Sequence, residues 1–205
     1  MHTGTRRTPL PLTRRIRRAL LPCIATIIIA TLAGCGSSGS LSQHDPNCKY
    51  SLKKRKTYIT CISPGTATPT RCPLPVTVSG TLIDRFFISI NNALGIRYRY
   101  GGTTTEGFDC SGLVMHLFRE TFQMQLPRTA AEQSSLGSTI PKNRLKPGDL
   151  VFFSTEGKVI DHVGIVLDNN RFAHAATRGG VTISKLSERY YDQRYACAAR
   201  IIMKK

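Results

Sequence analysis

The chain has 205 residues, of which 40% are hydrophobic, and carries a formal net charge of +17 from 29 Lys and Arg against 12 Asp and Glu. This length suits one compact domain with additional segments, and the hydrophobic fraction is sufficient for a packed core. No two of the seven cysteines have the Cys-x-x-Cys spacing, which excludes a zinc site of that type. The positive charge favours an anionic partner, of which nucleic acid is one class.

The N-terminus has the composition of an export signal. Residues 1–34 contain six arginines and no acidic residue, and their apolar run, Ala19–Leu32, is shorter than the roughly twenty residues that span a bilayer as a helix. The run ends in Leu-Ala-Gly-Cys at residues 32–35, which resembles a bacterial lipobox. That resemblance implies that residues 1–34 are a lipoprotein signal peptide and that Cys35 is lipidated. An uncleaved signal anchor is the alternative.

The residue after Cys35 is Gly36 and not aspartate, which by resemblance to other lipoproteins implies sorting to the outer membrane. Several acyl chains at one cysteine are enough for stable anchoring. We therefore expect a protein anchored through its N-terminal lipid to the periplasmic face of the outer membrane of a Gram-negative bacterium. Its anionic partner would then belong to the cell envelope, and nucleic acid is not expected.

Residues 35–79 are predicted to form a tether and spacer that contains three cysteines besides Cys35. The spacer has little periodicity apart from one short strand predicted at Thr57–Ile62. Export to an oxidising compartment favours disulfides among four cysteines, for which three pairings are open. We predict two bridges, one of which connects the spacer to the C-terminal segment; the four are Cys48, Cys61, Cys72 and Cys197.

The segment 80–205 begins with patterns of three helices. Apolar residues recur at helical spacing between Ser79, which can cap the first helix, and Gly95, which can end it. Asp109 stands at the N-cap of a second amphipathic helix. Residues 129–132, Thr-Ala-Ala-Glu, form a capping-box pattern that opens a third, short helix.

The period then changes to that of β-strands, in five runs separated by turn residues. Helices followed by strands indicate the α+β class, with the N-terminal helices packed on an antiparallel sheet. The β-rich runs are residues 145–153, 162–168, 171–177, 180–185 and 194–202.

Cys110 falls in the first turn of the second predicted helix, where it meets free backbone N–H groups and the positive end of the helix dipole. Both favour the thiolate, and cysteines in such positions have lowered pKa values. The same N–H groups can bind the oxyanion that forms when the sulfur attacks a carbonyl. Gly112 would leave room for a substrate backbone. The position therefore predicts a nucleophile.

A nucleophile needs a base, and the strands contain two histidines, His162 and His174. A two-residue loop between their strands would place them on opposite faces of the sheet. A three-residue loop, Asp168–Asn170, would pair Leu167 with Arg171 and place both histidines on one face. The third residue of such a loop needs a left-handed conformation, which asparagine tolerates. Because the histidines are expected to act together, we predict the three-residue loop.

Six short motifs resemble, in their order, those of the NlpC/P60 cysteine peptidases, which are papain-like enzymes that cut peptidoglycan peptides. The resemblance covers roughly residues 80–203. Over this range the chain is most similar to the lipoprotein members of the family, including Spr-type murein endopeptidases. The motifs are Tyr98-Arg-Tyr-Gly-Gly102, Gly107-Phe-Asp-Cys-Ser-Gly112, Leu126-Pro-Arg-Thr129, Pro147-Gly-Asp-Leu-Val-Phe-Phe153, Asp161-His-Val-Gly-Ile165 and Phe172-Ala-His-Ala175.

The resemblance implies a papain-like catalytic domain in residues 80–205. It implies that Cys110 is the nucleophile, that His162 is the general base and that His174 orients His162, in the place that papain-like proteases give to asparagine. No cofactor and no metal are implied. The extra cysteines of the spacer and Cys197 are not explained by the resemblance.

The resemblance also implies that Tyr98 donates a hydrogen bond to the substrate or oxyanion and that Asp109 and Ser111 help to bind stem-peptide amine and carboxylate groups. The substrate is a peptidoglycan stem peptide, cut at either the γ-D-glutamyl–diaminopimelate bond or the D-Ala–diaminopimelate cross-link. We expect a monomer. Two alternatives remain open, a non-catalytic peptidoglycan-binding lipoprotein and a zinc site at the same cysteine and histidines.

Overall fold

A computed structural model describes residues 48–49, 55–62 and 68–205. The predicted signal peptide, the lipidation site Cys35 and the beginning of the tether lie outside the described residues. Within those ranges no helix is both long and apolar enough to cross a membrane.

The three predicted helices are confirmed, and each begins at its expected cap. The Ser79 hydroxyl accepts from Leu82 N–H at 3.3 Å, and Gly95, with φ of 82°, follows the first helix. Thr129 and Glu132 form both bonds of the capping box. A fourth helix, which was not predicted, precedes the last long strand. The helices are α1 (Gly80–Ala93), α2 (Cys110–Phe122), α3 (Ala130–Gln133) and α4 (Arg189–Arg194).

The strands are predominantly antiparallel, and the five predicted β-rich runs contain β8 to β12. The strands are β1 (Tyr58–Ile62), β2 (Pro69–Pro73), β3 (Val76–Val78), β4 (Thr103–Thr104), β5 (Gly107–Phe108), β6 (Met124–Gln125), β7 (Ser138–Thr139), β8 (Leu150–Phe153), β9 (His162–Val166), β10 (Arg171–Ala176), β11 (Gly180–Lys185), β12 (Tyr195–Arg200) and β13 (Ile202–Lys204).

The main sheet has six strands in the order β11-β10-β9-β8-β12-β7, and all five neighbouring pairs are antiparallel. Strand β8 is buried on both faces because alternate side chains enter two different apolar clusters. Leu150 and Phe152 belong to the larger cluster, and Val151 and Phe153 belong to the smaller one. These observations confirm the α+β class.

Helix α2 packs against α1 and against β9 and β10 of the main sheet. Phe86 of α1 is completely buried, and its ring centroid lies 5.1 Å from that of Phe118 and 4.9 Å from that of Phe122, both on α2. Aromatic pairs at these separations add to the burial of apolar area in fixing how two elements pack. The contact with β9 places the start of α2 beside the strand that carries His162.

Part of the predicted spacer pairs with strands of the domain. The strand predicted at Thr57–Ile62 is confirmed as β1, which lies between β2 and β6 in a three-stranded antiparallel sheet. Strand β3 pairs in parallel with β13 near the C-terminus. The Arg55 guanidinium donates to the carbonyl oxygens of Ser134, Leu136 and Gly137, at 3.1, 2.6 and 2.8 Å. These contacts hold the loop that follows α3.

One disulfide joins Cys61 to Cys72 across the β1–β2 pair. Cys48 and Cys197 are both buried, and Lys49 N–H donates to the Ala196 carbonyl oxygen at 2.9 Å, which brings their backbone segments together. The bridge between the spacer and the C-terminal segment would therefore join these two cysteines, and it stays a prediction.

Candidate active site

Cys110 is the first residue of α2 and is 8% exposed. The helix begins here because the Asp109 carboxylate accepts from Gly112 N–H at 2.7 Å, as the sequence predicts for an N-cap. The Cys110 thiol donates to the Asp161 carbonyl oxygen at 3.7 Å, and the N–H of Val163 also hydrogen-bonds the sulfur. The sulfur therefore contacts the backbone of the residues before and after His162.

The two histidines share one face of the β9–β10 hairpin, and their rings are hydrogen-bonded. His162 Nε2 lies 2.9 Å from His174 Nδ1, with the ring planes nearly perpendicular. The register Phe172–Val166 and the 2.8 Å bond from Leu167 N–H to the Arg171 carbonyl oxygen confirm the three-residue loop.

The prediction that Asn170 in this loop has a left-handed conformation is wrong. Among the described residues, Gln123 is the only residue other than glycine with a positive φ, so Asn170 does not have that conformation. The Asp168 carboxylate instead accepts from the backbone N–H groups of Asn170 and Arg171, at 3.0 and 2.7 Å. An aspartate that bonds the backbone two residues further on replaces the turn that a left-handed residue would make.

The lowered pKa expected for Cys110 is also wrong. Burial raises the pKa of the thiol, and the negative charge of Asp109 raises it further. The N–H groups of Val163, Ser111 and Cys110 lower it, as expected at a helix start, but they do not outweigh burial. The sequence pattern identified the helix N-terminus but not how deeply the sulfur is buried.

Both imidazoles are neutral at pH 7. Burial lowers the pKa of His162 to about 4, against a smaller opposing effect of the Asp161 carboxylate. Burial lowers the pKa of His174 to about 3, and the neighbouring His162 lowers it further. The resting site thus holds a protonated thiol beside a neutral histidine pair, so a thiolate forms only when a base takes the proton.

A second cluster at the helix start is formed by Asp109 and Arg128, an arginine to which the sequence gave no role. The Arg128 guanidinium binds both oxygens of the Asp109 carboxylate and donates to Ser111 Oγ at 2.9 Å. The same carboxylate accepts from Gly101 N–H at 3.0 Å. Asp109 therefore joins α2, the loop before β4 and the segment that leads into α3.

Gln133 fixes the position of α3 relative to α2. Its side chain is completely buried, and Nε2 donates to the carbonyl oxygens of Ser111 and Pro127, at 3.1 and 2.9 Å.

Gly112 of the nucleophile motif allows close packing within the protein and does not leave space for a substrate. A methyl group on Gly112 would collide with the carbonyl oxygen of Gly102, so the expected space for a substrate backbone is occupied by the protein's own loop.

A cavity of about 380 Å³ opens at the sulfur. Four of the six residues predicted for catalysis or substrate binding line it: Tyr98, Asp109, Cys110 and Ser111. Burial raises the pKa of the Tyr98 phenol, and the neighbouring Cys110 and Asp109 raise it further. Tyr100, which the sequence gave no role, lines the same cavity and is 92% exposed. Tyr100 and Arg128 both lie within motifs of the resemblance, Tyr98-Arg-Tyr-Gly-Gly102 and Leu126-Pro-Arg-Thr129, and this is the sequence signal that could have identified them.

The two histidines line a separate cavity of about 130 Å³. Cys110 thus lines the larger cavity and the two histidines line the smaller one, while the sulfur contacts the backbone of the residues on both sides of His162. The roles of nucleophile, base and orienting residue are compatible with these positions and stay predictions.

The zinc alternative requires Cys110, His162 and His174 to converge on one metal ion. Within the described ranges, no three side chains among His, Cys, Asp and Glu are arranged to bind a metal ion. The ring nitrogens of His162 and His174 that face one another are used in their mutual hydrogen bond.

Residues 95–200 match the sequence profile of the NlpC/P60 family. Over 108 residues the chain is 46% identical to the murein DD-endopeptidase MepS/murein LD-carboxypeptidase of Escherichia coli strain K12, a match that covers 53% of this chain and 57% of that protein. It is 48% identical over 108 residues to the probable endopeptidase NlpC of the same strain, covering 52% of this chain and 70% of that protein. The chain thus spans little more than half the length of the first of these curated relatives.

Solved structures with a similar fold include two bacterial proteins. One is a protein of Staphylococcus aureus described as similar to a lipoprotein of the NLP/P60 family, with 30% identity, a TM-score of 0.55, and coverage of 63% of this chain and 44% of that chain. The other is the peptidoglycan hydrolase RipB of Mycobacterium tuberculosis, with 26% identity, a TM-score of 0.51, and coverage of 60% of this chain and 66% of that chain.

Proposed function

The chain belongs to the NlpC/P60 family, and from that premise we propose that it is a thiol endopeptidase that hydrolyses stem-peptide bonds of bacterial peptidoglycan. The observation that carries the proposal is the position of Cys110, whose sulfur lies against the backbone on both sides of His162 while the His162 ring is bonded to His174. The relatives named as murein endopeptidases and as a peptidoglycan hydrolase support the substrate class.

The reaction begins when the Cys110 sulfur attacks the carbonyl carbon of the scissile amide. His162 uses Nε2 to bond His174, so its Nδ1 is the nitrogen that takes the thiol proton. The carbonyl oxygen becomes an oxyanion, which the backbone N–H groups of Cys110 and Ser111 and the Tyr98 hydroxyl can stabilise. His162 then gives the proton to the leaving amine, and the amide bond breaks to leave a thioester on Cys110.

Hydrolysis of the thioester completes the cycle. Water attacks the acyl carbon while His162 accepts one proton, and the thiol leaves with that proton, so that enzyme and carboxylate product are released. The thiol and both imidazoles are neutral at rest, so His162 must take the thiol proton for the sulfur to act as a nucleophile. This differs from a site that stores a preformed thiolate.

The bond that is cut is either γ-D-glutamyl–diaminopimelate or the D-Ala–diaminopimelate cross-link. Relatives support both, since one is named a murein DD-endopeptidase and another, 43% identical over 103 residues from Bacillus subtilis, is named a gamma-DL-glutamyl hydrolase. That second match covers 49% of this chain and 25% of that protein.

We further propose that a lipid on Cys35 anchors the enzyme to the periplasmic face of the outer membrane. The support is the sequence alone, namely the arginine-rich and apolar stretch that ends in Leu-Ala-Gly-Cys and is followed by Gly36. The anchor would keep a monomeric enzyme beside the cell wall, and the excess of basic residues suits an anionic polymer.

Digestion of purified muropeptides, with products read by mass spectrometry, tests the proposal. We expect cleavage by the wild-type protein, loss of cleavage after iodoacetamide or in Cys110→Ser, and unchanged cleavage with a chelator. Loss of cleavage with the chelator would favour the zinc alternative, and binding without cleavage would favour the non-catalytic lipoprotein. The product masses identify the scissile bond.

A further inference from the structure

Two hydroxyl groups lie within hydrogen-bonding distance of His174 Nε2, the ring nitrogen that does not face His162. Neither hydroxyl has a role in the proposed reaction. His174 Nε2 lies 3.1 Å from Ser184 Oγ and 3.2 Å from the Tyr191 hydroxyl oxygen. His174 is 1% exposed, so its ring nitrogens must find their hydrogen-bond partners within the protein. The Tyr191 hydroxyl also hydrogen-bonds Ser184, so the three groups form a closed triangle.

The fold holds both hydroxyls firmly in place. Ser184 lies on β11, the strand next to β10, where it pairs with Phe172. Tyr191 lies on α4, and its ring packs edge-on against Phe172 and His174, with centroid separations of 4.9 and 5.3 Å. A third edge-on contact, to Phe153 at 5.3 Å, fixes the ring from the side of β8.

The direction of the hydrogen bonds decides whether His162 can act as a base. If His174 donates from Nε2, its Nδ1 is free to accept from His162 Nε2–H, and His162 Nδ1 has a free lone pair for the thiol proton. If a hydroxyl donates to His174 Nε2, the proton of His174 moves to Nδ1. His162 Nε2 must then accept, and the His162 proton occupies Nδ1, where it blocks the base.

We propose that Ser184 and Tyr191 are positioning residues that act through His174 by accepting its Nε2–H. In this arrangement Tyr191 directs its own proton to Ser184 Oγ, so neither hydroxyl donates to the ring. The inference rests on the proposed function, because it assigns these residues to the same catalytic site. It extends the orienting group from one histidine to a relay of three side chains.

Ser184 is the more important of the two in this scheme. Without its oxygen, the Tyr191 proton loses its acceptor and turns toward His174 Nε2, which favours the blocked tautomer. Without the Tyr191 hydroxyl, Ser184 still offers an acceptor to His174. Ser184→Ala should therefore have a larger effect than Tyr191→Phe, whereas Ser184→Thr keeps the hydroxyl and should retain function.

The test uses the purified chain and two measurements that need no peptidoglycan. Long-range nitrogen NMR of protein with ¹⁵N-labelled histidine reports which ring nitrogens of His162 and His174 carry protons. The rate of alkylation of Cys110 by iodoacetamide at pH 7 reports how readily His162 takes the thiol proton. Tyr190→Phe is the matched control, because Tyr190 adjoins Tyr191 on α4. Its ring packs against the Arg194 guanidinium, whose Cζ lies 4.2 Å from the ring centroid.

We expect both wild-type histidines to carry their protons on Nε2. Ser184→Ala should shift His162 toward the Nδ1–H form and slow alkylation about two- to tenfold, which is the range of one neutral hydrogen bond. Ser184→Thr and Tyr190→Phe should match the wild type, and thermal melting shows that each variant is folded. A wild-type His162 protonated at Nδ1, or Ser184→Ala with unchanged tautomers and alkylation, would overturn the proposal. Correct tautomers in a protein that does not digest peptidoglycan would overturn only the proposed function.

Discussion

As the pH falls below 7, the His174→Asn variant should lose less stability than the wild-type protein. Burial lowers the pKa of His174 to about 3 in the folded protein, against about 6.5 in the unfolded chain. Below pH 6.5 the unfolded chain therefore binds a proton that the folded protein does not. Stability from this group is complete above pH 6.5 and is lost progressively as the pH falls toward 3.

The size of the effect follows from that difference in proton binding. Between pH 7 and pH 5 the unfolded imidazole takes up most of one proton and the folded one takes up almost none, which lowers the free energy of unfolding by about 2 kcal/mol. His162, with a pKa of about 4, adds a similar loss in both proteins. His174→Asn should therefore lose about 2 kcal/mol less than the wild type over this range.

Urea unfolding at pH 7, 6 and 5 measures this difference. Only the change with pH is compared, because the substitution also removes the hydrogen bond to His162 and shifts stability at every pH. Tyr190→Phe serves as the control and should keep the wild-type slope. Equal losses in His174→Asn and the wild type between pH 7 and pH 5 would refute the buried, neutral state of His174.

Two further predictions concern the start of α2 and the cysteines. Asp109→Asn should lower the pKa of the Cys110 thiol, because the Asp109 charge raises it, and should reduce stability by about 2 kcal/mol as the ion pair with Arg128 is lost. Alkylation against pH and urea unfolding measure the two effects, and an unchanged or higher thiol pKa would contradict the first. The mature protein, denatured without reductant, should contain one free thiol because Cys48 and Cys197 are predicted to be bridged. A count of three would exclude that bridge.

The elements that the sequence predicted well depend on local signals. Ser79, Asp109 and Thr129 each cap a helix through a backbone N–H within three residues, so the printed sequence already contains both partners of each bond. The β9–β10 register was also predictable, because the period of two along a strand allows only an odd loop if His162 and His174 are to share a face.

The properties that could not be predicted depend on groups distant in sequence. The pKa of Cys110 is set mainly by burial, which results from the packing of α2 on the main sheet and leaves no local pattern. Arg128 reaches Asp109 across 19 positions, and Tyr191 reaches His174 across 17. The Asx-type turn at Asp168 was missed for a different reason, since both a left-handed asparagine and an aspartate cap fit the same three residues.

The most direct test of the central claim is the capture of the thioester. The protein is mixed with muropeptide, and the reaction is quenched in acid within the first turnover. The intact mass of the protein is then measured by mass spectrometry. We predict an added mass equal to the acyl half of the stem peptide, mapped to Cys110 and missing from Cys110→Ala. Cleavage that proceeds without any adduct, or that persists in Cys110→Ala, would contradict a covalent mechanism at this sulfur.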